Sequence, residues 1–321
     1  MSRLAILVLG LVADRILGDP DRLWATSGHP IAWIGRLIAT LDAGLNDERL
    51  SPEARRGRGI LALALILALA VLAGWFLHGL AAALPLGFVL EAFLVSVFLA
   101  QKGLLDHVSA VAEAEEKSGL EAARLALSHI VGRDVSALDR GGVNRVALES
   151  LAENFSDAVV APAFWYLLAG LPGLIAYKAL NTADSMIGHR TERHEAFGYA
   201  AARLDDLANY LPARISAALI ALAAPLVGGS PRRAFDIARR DAAAHRSPNA
   251  GWPEAAMAGA LDLAFGGPRR YGSLVVDGAW LNKEGRYEPS NAELRRGIRL
   301  ADGAWLVLLA LVAVSATLFA P

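Results

Sequence analysis

The sequence predicts an all-α, polytopic helical membrane protein with re-entrant or broken helices and a polar helical face on the cytoplasmic side. Three observations carry this expectation. Of 321 residues 55% are apolar and only 20% are charged, whereas soluble domains carry more charge and fewer apolar groups. The mean hydropathy is +0.40. Several apolar runs approach the roughly 20 residues that a bilayer-spanning helix needs. The chain is expected to form a single membrane domain over residues 1–321.

Taken in order, Leu4 to Val12 is apolar but is followed by Asp14, Arg15 and Asp19 in place of a small-residue cleavage site, so it reads as a retained first helix. Ile60 to Leu84 is the clearest span. Pro85 and Gly87 mark a turn, and Leu86 to Ala100 returns as a shorter second span, making a helical hairpin. Gln101 to Gly119 and Glu121 to Val131 read as amphipathic helices, with Leu104, Leu105, Val108 and Val111 on one face of the first. Leu306 to Phe319 reads as a C-terminal anchor that begins as early as Ala301. No strand-like alternation persists.

Two segments are ambiguous. Val159 to Leu180 is long enough to cross, but Pro162 and Gly170-Leu171-Pro172-Gly173 interrupt it. Ile215 to Val227 is short for a span. If both cross, the block at Asn181 to Arg214 lies across the bilayer from the other polar blocks. If both re-enter, all polar blocks share one face. The second reading is adopted, because broken helices in membranes line binding cavities. Lys and Arg accumulate at Pro20 to Gly59, Gln101 to Asp157 and Gly228 to Gly303, which places those regions in the cytoplasm.

The composition also excludes. A net charge of -1 offers no field for nucleic acid. With no cysteine there is no disulfide, iron–sulfur cluster, thiolate zinc site or Cys nucleophile. The sequence lacks G-x-x-x-x-G-K-[ST], G-x-S-x-G and H-E-x-x-H, so any nucleotide is bound without a P-loop.

Four polar blocks sit at the ends of apolar segments, where ionisable groups are costly and therefore point to a site. In the first, Glu149, Glu153 and Asp157 recur at i, i+4 and i+8 on one helix face. Hard oxygens spaced this way suit Mg²⁺, which binds one or two carboxylates plus substrate phosphate. The alternative is a solvated face paired with Arg140 or Arg145. In the second, Asn181, Asp184 and Ser185 follow Lys178; Lys178 either meets a phosphate or snorkels, and the polar residues either form a site or cap the next helix. The third places Asp205, Asp206 and Asn209 within a turn, flanked by Arg203 and Arg214, as an ion-pair network or as a site for metal and carboxylate or phosphate. In the fourth, Arg239 and Arg240 could attract a polyanion. There Asp241 and His245 precede Ser247, Pro248 and Asn249, and His245 is either a general base or a structural hydrogen-bond partner. Gly18-Asp19-Pro20 and His29-Pro30 with Gly35-Arg36 form one more polar, turn-rich cluster, or simple loop punctuation.

In this order the blocks resemble the CobD/CbiB family of adenosylcobinamide-phosphate synthases. The matching stretches are Gly18-Asp19-Pro20, His29-Pro30, Val131-Gly132-Arg133-Asp134, Glu149 to Pro162, Tyr177 to Gly188, Phe197 to Arg214, Arg240 to Gly259, Gly266-Gly267 and Tyr271-Gly272. They cover nearly the whole chain. Two departures stand out: His189 where Tyr is expected and Ala158 where Gly is common.

The resemblance implies a multi-pass inner-membrane ligase with a cytoplasmic active face. It would join adenosylcobyric acid to (R)-1-aminopropan-2-ol or its O-phosphate through an amide bond, with ATP as co-substrate, in cobalamin biosynthesis. A carboxylate is a poor acyl donor, so Mg²⁺-assisted phosphoryl transfer to an acyl phosphate is inferred. Glu149, Glu153, Asp157, Asp184, Asp205 and Asp206 are then assigned to Mg²⁺ or amine contacts, with Glu153, Asp157, Asp184 and Asp206 as metal ligands. Lys178, Arg203, Arg214 and Arg240 are assigned to phosphates. Asn181, Ser185, Asn209, Ser247 and Asn249 are assigned to substrate binding, and His245 or an acid to taking the amine proton. Cobalt arrives only inside the corrinoid. Partners are the corrinoid, aminopropanol or its phosphate, the nucleotide and the bilayer, with self-association or neighbouring cobalamin-pathway enzymes left open. The alternatives are an AmpE-like membrane sensor, which needs no convergence of the blocks, and a small-molecule transporter, which needs more full spans.

Overall fold

The computed structural model describes residues 1–18, 24, 28–132, 134–271, 274–276 and 278–319, without the side chains of 269–271 and 274–276. Asp19, Pro20, Arg133 and Gly272, singled out above, lie outside the described residues. The chain forms two compact units. The first comprises Met1–Leu99, Ala161–Asn209 and Ala316–Pro321; the second comprises Ala100–Val160 and Tyr210–Ser315.

The regular elements of the first unit are all helices among its described residues, joined by turns at 46–51 and 188–198. Helix α1 (Arg3–Leu17) starts where the Ser2 hydroxyl accepts from the Ala5 N–H. Helix α2 (Pro30–Leu45) has His29 as N-cap and Pro at its first position, where a missing N–H costs nothing. Helix α3 (Pro52–Ala82) is capped by Ser51 and runs 31 residues, about 46 Å at 1.5 Å per residue. It turns at Pro85 into α4 (Gly87–Phe98), as the hairpin reading expects. Helices α8 (Ala161–Ile187) and α9 (Tyr199–Ala208) complete the unit, with α8 packed along α3.

Helix α8 breaks where the sequence places Gly170. That residue has φ 67°, ψ -156°, open to glycine and strained for other residues. The half-helices fold against each other across it. A Cβ added to Gly173 would lie 2.6 Å from the Trp165 carbonyl, and one added to Gly74 on α3 would lie 2.4 Å from the Pro172 Cα. The broken-helix expectation therefore holds at Gly170, but the helix runs past Leu180 to Ile187. Asn181, Asp184 and Ser185 thus lie inside α8 and cap no following helix.

The second unit holds α5 (Gln101–Ser118), α6 (Leu120–Ser128) and α7 (Arg140–Phe155), which continues through a π-turn at Ser156–Val160. It also holds α10 (Tyr210–Ala223), α11 (Pro231–Asp241), α12 (Gly251–Leu261) and α13 (Asn291–Leu318). Helix α12 is buried on every side from Pro253 to Leu261 and packs against α11, α10 and α7, so it is the core of this unit. Two short antiparallel pairs, β1 (Phe265–Gly266) with β4 (Trp280–Leu281) and β2 (Arg269–Tyr271) with β3 (Leu274–Val276), are the only strands among the described residues.

Two boundaries differ from expectation. Helix α13 begins at Asn291, well before Ala301, because Ser290 and Glu293 make one half of a capping box. The Glu293 carboxylate accepts from the Ser290 N–H at 2.6 Å and from its hydroxyl at 2.8 Å. Helix α10 begins at Tyr210, so the run to Val227 has 18 residues, and its shortness no longer argues against crossing. By length and composition, five helical runs among the described residues could cross a membrane: Pro52–Ala82, Gly87–Ser118, Arg140–Ile187, Tyr210–Val227 and Asn291–Leu318. The third of these includes the break at Gly170.

The contact between Gly74 and Pro172 yields a test. Gly74→Val should destabilise the protein by about 1–3 kcal/mol through overpacking. Gly79→Val, on the same helix with nothing within 4 Å, should change stability by less than about 0.5 kcal/mol, as for open surface sites. Thermal unfolding of both variants in detergent checks the contrast.

Candidate functional site

The second and third polar blocks meet in the first unit. On α8, Tyr177, Asn181 and Asp184 follow at i, i+4 and i+7 and share a face. Opposite them stand Asp205 and Asn209 at the end of α9. The Tyr177 hydroxyl donates to Asn209 Oδ1 at 2.8 Å, and Asn209 Nδ2 donates to Asp205 Oδ2 at 2.9 Å. Asn181 Nδ2 approaches Asp205 Oδ1 at 3.4 Å. This chain is nearly sealed: Asp205 is 8% and Asn209 2% exposed.

The amides orient Asp205, but its charge is costly. Burial, reinforced by the nearby Asp184 carboxylate, pushes Asp205 up to about 7 against the opposing hydrogen bonds of Asn209 and Asn181. Asp206 is also raised by burial, while Arg203 and Arg190 pull it down. Close, partly buried carboxylates of this kind are relieved by a proton or by a cation. That chemistry fits the Mg²⁺ assigned to Asp184 and Asp206. Among the described residues no three His, Asp or Glu side chains form a ready ligand set. Mg²⁺ takes one or two carboxylates and completes its shell with water and substrate phosphate, so it does not demand one.

Other residues of these blocks are placed differently. Ser185 is exposed and donates to the Asn181 carbonyl at 2.9 Å. Lys178 is half-buried. Arg203 turns to the Tyr199 ring, 5.5 Å from its centroid, beside Arg56 at 4.5 Å.

The first and fourth blocks, with Arg214, belong to the second unit. The acidic stripe splits. Glu149 is buried and its Oε1 accepts from the Gly266 N–H at 2.8 Å, which anchors β1. Glu153 is exposed and Asp157 half-buried. Each i to i+4 step already rotates about 40° at 3.6 residues per turn, and the π-turn at Ser156–Val160 removes Asp157 from the α-helical register. Arg145 donates to the Tyr287 carbonyl at 2.8 Å and stacks on Trp280, away from its suggested pairing with the stripe.

Arg214 lies between the Tyr210 and Trp252 rings, 3.5 and 4.7 Å from their centroids, and approaches Asn249 Oδ1 at 3.4 Å. The Ser247 hydroxyl accepts from the N–H groups of Asn249 and Ala250 just before α12. His245 Nδ1 lies 3.0 Å from the Ser247 backbone nitrogen and 3.3 Å from its carbonyl oxygen. Nε2 faces Glu254, 1% exposed, at 3.6 Å. Arg240 is engaged by two carboxylates, Asp241 at 2.7 Å and Glu284 at 2.8 Å, which raises its already high pKa.

Sequence reading missed Tyr177, Glu254 and the stacking role of Tyr210 and Trp252. The i, i+4 spacing of Tyr177 and Asn181 was a usable signal. Glu254 gave none, because it is an isolated acid in an Ala-rich core helix.

Comparison with known proteins gives concordant matches. The family model for CobD/Cbib protein matches residues 7–301. Relatives named cobalamin biosynthesis protein CobD include one from Sinorhizobium sp that is 53% identical over 96% of this chain and 97% of its own length. Another, from Brucella suis, is 50% identical over 89% of this chain and 88% of its own. A third, from Rhodobacter capsulatus, is 48% identical over 98% of each. No solved structure matches.

The Asp241 cluster predicts an acid response. Burial alone would raise this carboxyl, but hydrogen bonds from Arg240 and the Asn282 N–H hold it below its ordinary 3.8. The unfolded chain therefore takes up a proton in a window where the folded chain does not. This contribution is complete above pH 3.8 and is lost as pH falls through the lower folded value. Asp241→Asn should cost about 1–3 kcal/mol near neutral pH, as for a charge-assisted hydrogen bond, and should flatten the acid limb of a pH–stability curve.

Proposed function

The chain belongs to the CobD/CbiB family of cobalamin biosynthesis, and from that premise we propose that it is an ATP-dependent ligase. It joins adenosylcobyric acid to (R)-1-aminopropan-2-ol or its O-phosphate. The observation that carries this reading beyond the family is the buried Tyr177–Asn209–Asp205–Asn181 chain beside Asp184 and Asp206. It is an acid-rich site held rigid by amides, in a segment of the chain flanked by apolar helices.

The chemistry follows from the weakness of a carboxylate as acyl donor. ATP gives its γ-phosphoryl group to the substrate carboxylate, releasing ADP and leaving an acyl phosphate. The amine nitrogen attacks the acyl carbon, the C–O bond to phosphate breaks, and inorganic phosphate departs. The proton lost by nitrogen passes to a base, for which His245 and the acids of the blocks are the candidates. Phosphoryl transfer asks a protein chiefly for positioning and charge neutralisation. Asp184 and Asp206 would hold Mg²⁺, which when bound would neutralise phosphate charge. Asn181 and Asn209 fix Asp205, which sets the width of the acidic site. Lys178, next to Tyr177 in sequence on α8, serves as a point charge for phosphate. Arg214, flattened between two rings with Asn249 alongside, presents a planar fork suited to carboxylate or phosphate.

The polar segments are proposed to face the cytoplasm of the inner membrane, following the distribution of Lys and Arg. The sensor and transporter readings lack a role for the sealed Asp205 network.

Purified protein supplied with ATP, Mg²⁺, adenosylcobyric acid and either amine should yield the amide and ADP. Asp184→Ala and Asp206→Ala should each lower turnover by at least about 100-fold, the scale for losing one preorganised electrostatic contact, with membrane insertion unchanged. Near-normal rates in both would remove these residues from the site. A reporter inserted between Asn181 and Arg214 should read cytoplasmic; a periplasmic signal would defeat the shared-face topology.

A further inference from the structure

Beyond the polar site, the first unit contains a groove of about 430 Å³ walled by Leu67, Val71 and Trp75 of α3, Pro172 of α8, and Leu204 and Leu207 of α9. Its size is that of a small-molecule site, but it offers an occupant almost nothing polar. Trp165 and Tyr177 reach it with polar tips, and both tips are used internally. Trp165 Nε1 donates to the Ala208 carbonyl at 3.2 Å, and the Tyr177 hydroxyl donates to Asn209. Helix α3 also exposes Leu65, Leu69, Leu72 and Phe76, the surface expected of a span in hydrocarbon.

The chemistry changes toward the N-terminal ends of α3 and α9. Arg56 and Arg203 both lie against the Tyr199 ring, at 4.5 and 5.5 Å from its centroid. Their charges act on nearby carboxylates, Arg56 on Glu53 and Arg203 on Asp206, without a salt bridge to either among the described residues. Two cations gathered on one ring repel each other unless an anion joins them. Leu204 follows Arg203 directly, and Leu207 comes one turn later, so α9 leads from the charged end straight into the groove. Arg55, Arg56 and Arg58 begin the long span. That pattern faces the cytoplasmic leaflet, where anionic headgroups collect.

We propose that this groove binds one anionic phospholipid, with its phosphate on Arg56 and Arg203 and an acyl chain along Leu67, Val71 and Leu207. A free phosphate would leave the apolar walls uncovered, and a neutral lipid would bring no anion to the two guanidinium groups gathered on the Tyr199 ring. The proposal gives to a lipid the Arg203 that the family resemblance assigns to a substrate phosphate, and it stands if the amide-forming reading fails.

Native mass spectrometry tests it, using the full chain released from nanodiscs of equal phosphatidylcholine and phosphatidylglycerol. One phosphatidylglycerol should be retained per chain, with a preference on the order of 30-fold from two cations. Arg56→Gln combined with Arg203→Gln should bring the preference near unity. Ala176→Phe, which fills the groove, should abolish retention of both lipids while circular dichroism and elution volume stay unchanged. Leu207→Trp serves if that variant does not fold. Equal retention of the two lipids by the unmodified chain would overturn the proposal. So would undiminished phosphatidylglycerol in a folded groove-filled variant, or its displacement by inorganic phosphate.

Discussion

Every broken helix in this protein must find a donor for the carbonyl that its proline abandons. In hydrocarbon an unpaired backbone group has no water to turn to, and Pro withholds the N–H that the residue four positions earlier expects. Pro172 leaves the Leu168 carbonyl, which accepts from Arg3 Nη1 at 3.2 Å. Pro162 leaves that of Ala158, taken by the Ala100 N–H at 3.2 Å. Pro212 leaves that of Ala208, taken by Trp165 Nε1 at 3.2 Å. Two of these donors are side chains, and all three come from far along the chain. The breaks are thereby built into the tertiary structure, and they set where the polar blocks lie.

The same requirement explains the site. Tyr177, Asn181 and Asp184 line α8 after its break, and α9 presents Asp205 and Asn209 to them. The carboxylate of Asp205 is tolerated because two amides orient it, yet burial and Asp184 still leave it balanced between protonated and charged. A structural network would gain from replacing one of these acids by an amide or an apolar residue. Keeping several acids together costs stability, and that cost is characteristic of sites that exchange charge with a ligand. In the second unit the acids take the opposite course. Glu149 anchors a strand, and Asp241 is consumed by Arg240 and a backbone amide.

Much of this was legible in the chain. Apolar runs marked α3 and α13, the Gly170–Gly173 cluster marked the break, and the clustering of Asn, Asp and Arg marked the region of α8 and α9 where the candidate site is drawn. What failed did so for physical reasons. Periodicity placed Glu149, Glu153 and Asp157 on one stripe, but a π-turn is a consequence of packing and leaves no pattern in residue type. Hydropathy saw only the apolar half of α13, because its first half is amphipathic and packs through Leu294, Gly297 and Leu300. The half capping box at Ser290 and Glu293 was readable and was overlooked. His245 and Glu254 approach across a loop, which no spacing rule anticipates.

Helix α9 shows most directly what surrounds this protein. On it Asp205 is buried, while Leu204 and Leu207 face outward, Leu207 at 70% exposure. In water that arrangement is inverted: the acid would gain by solvation and the leucines by burial. It becomes favourable when the outer face meets hydrocarbon and the inner face meets a polar cavity. The helix is therefore amphipathic in the sense that a bilayer demands, with Asp205 turned to Asn181 of α8 and Leu207 on its exposed face. One ten-residue element thus supplies the wall of the acidic site and the wall of the apolar groove.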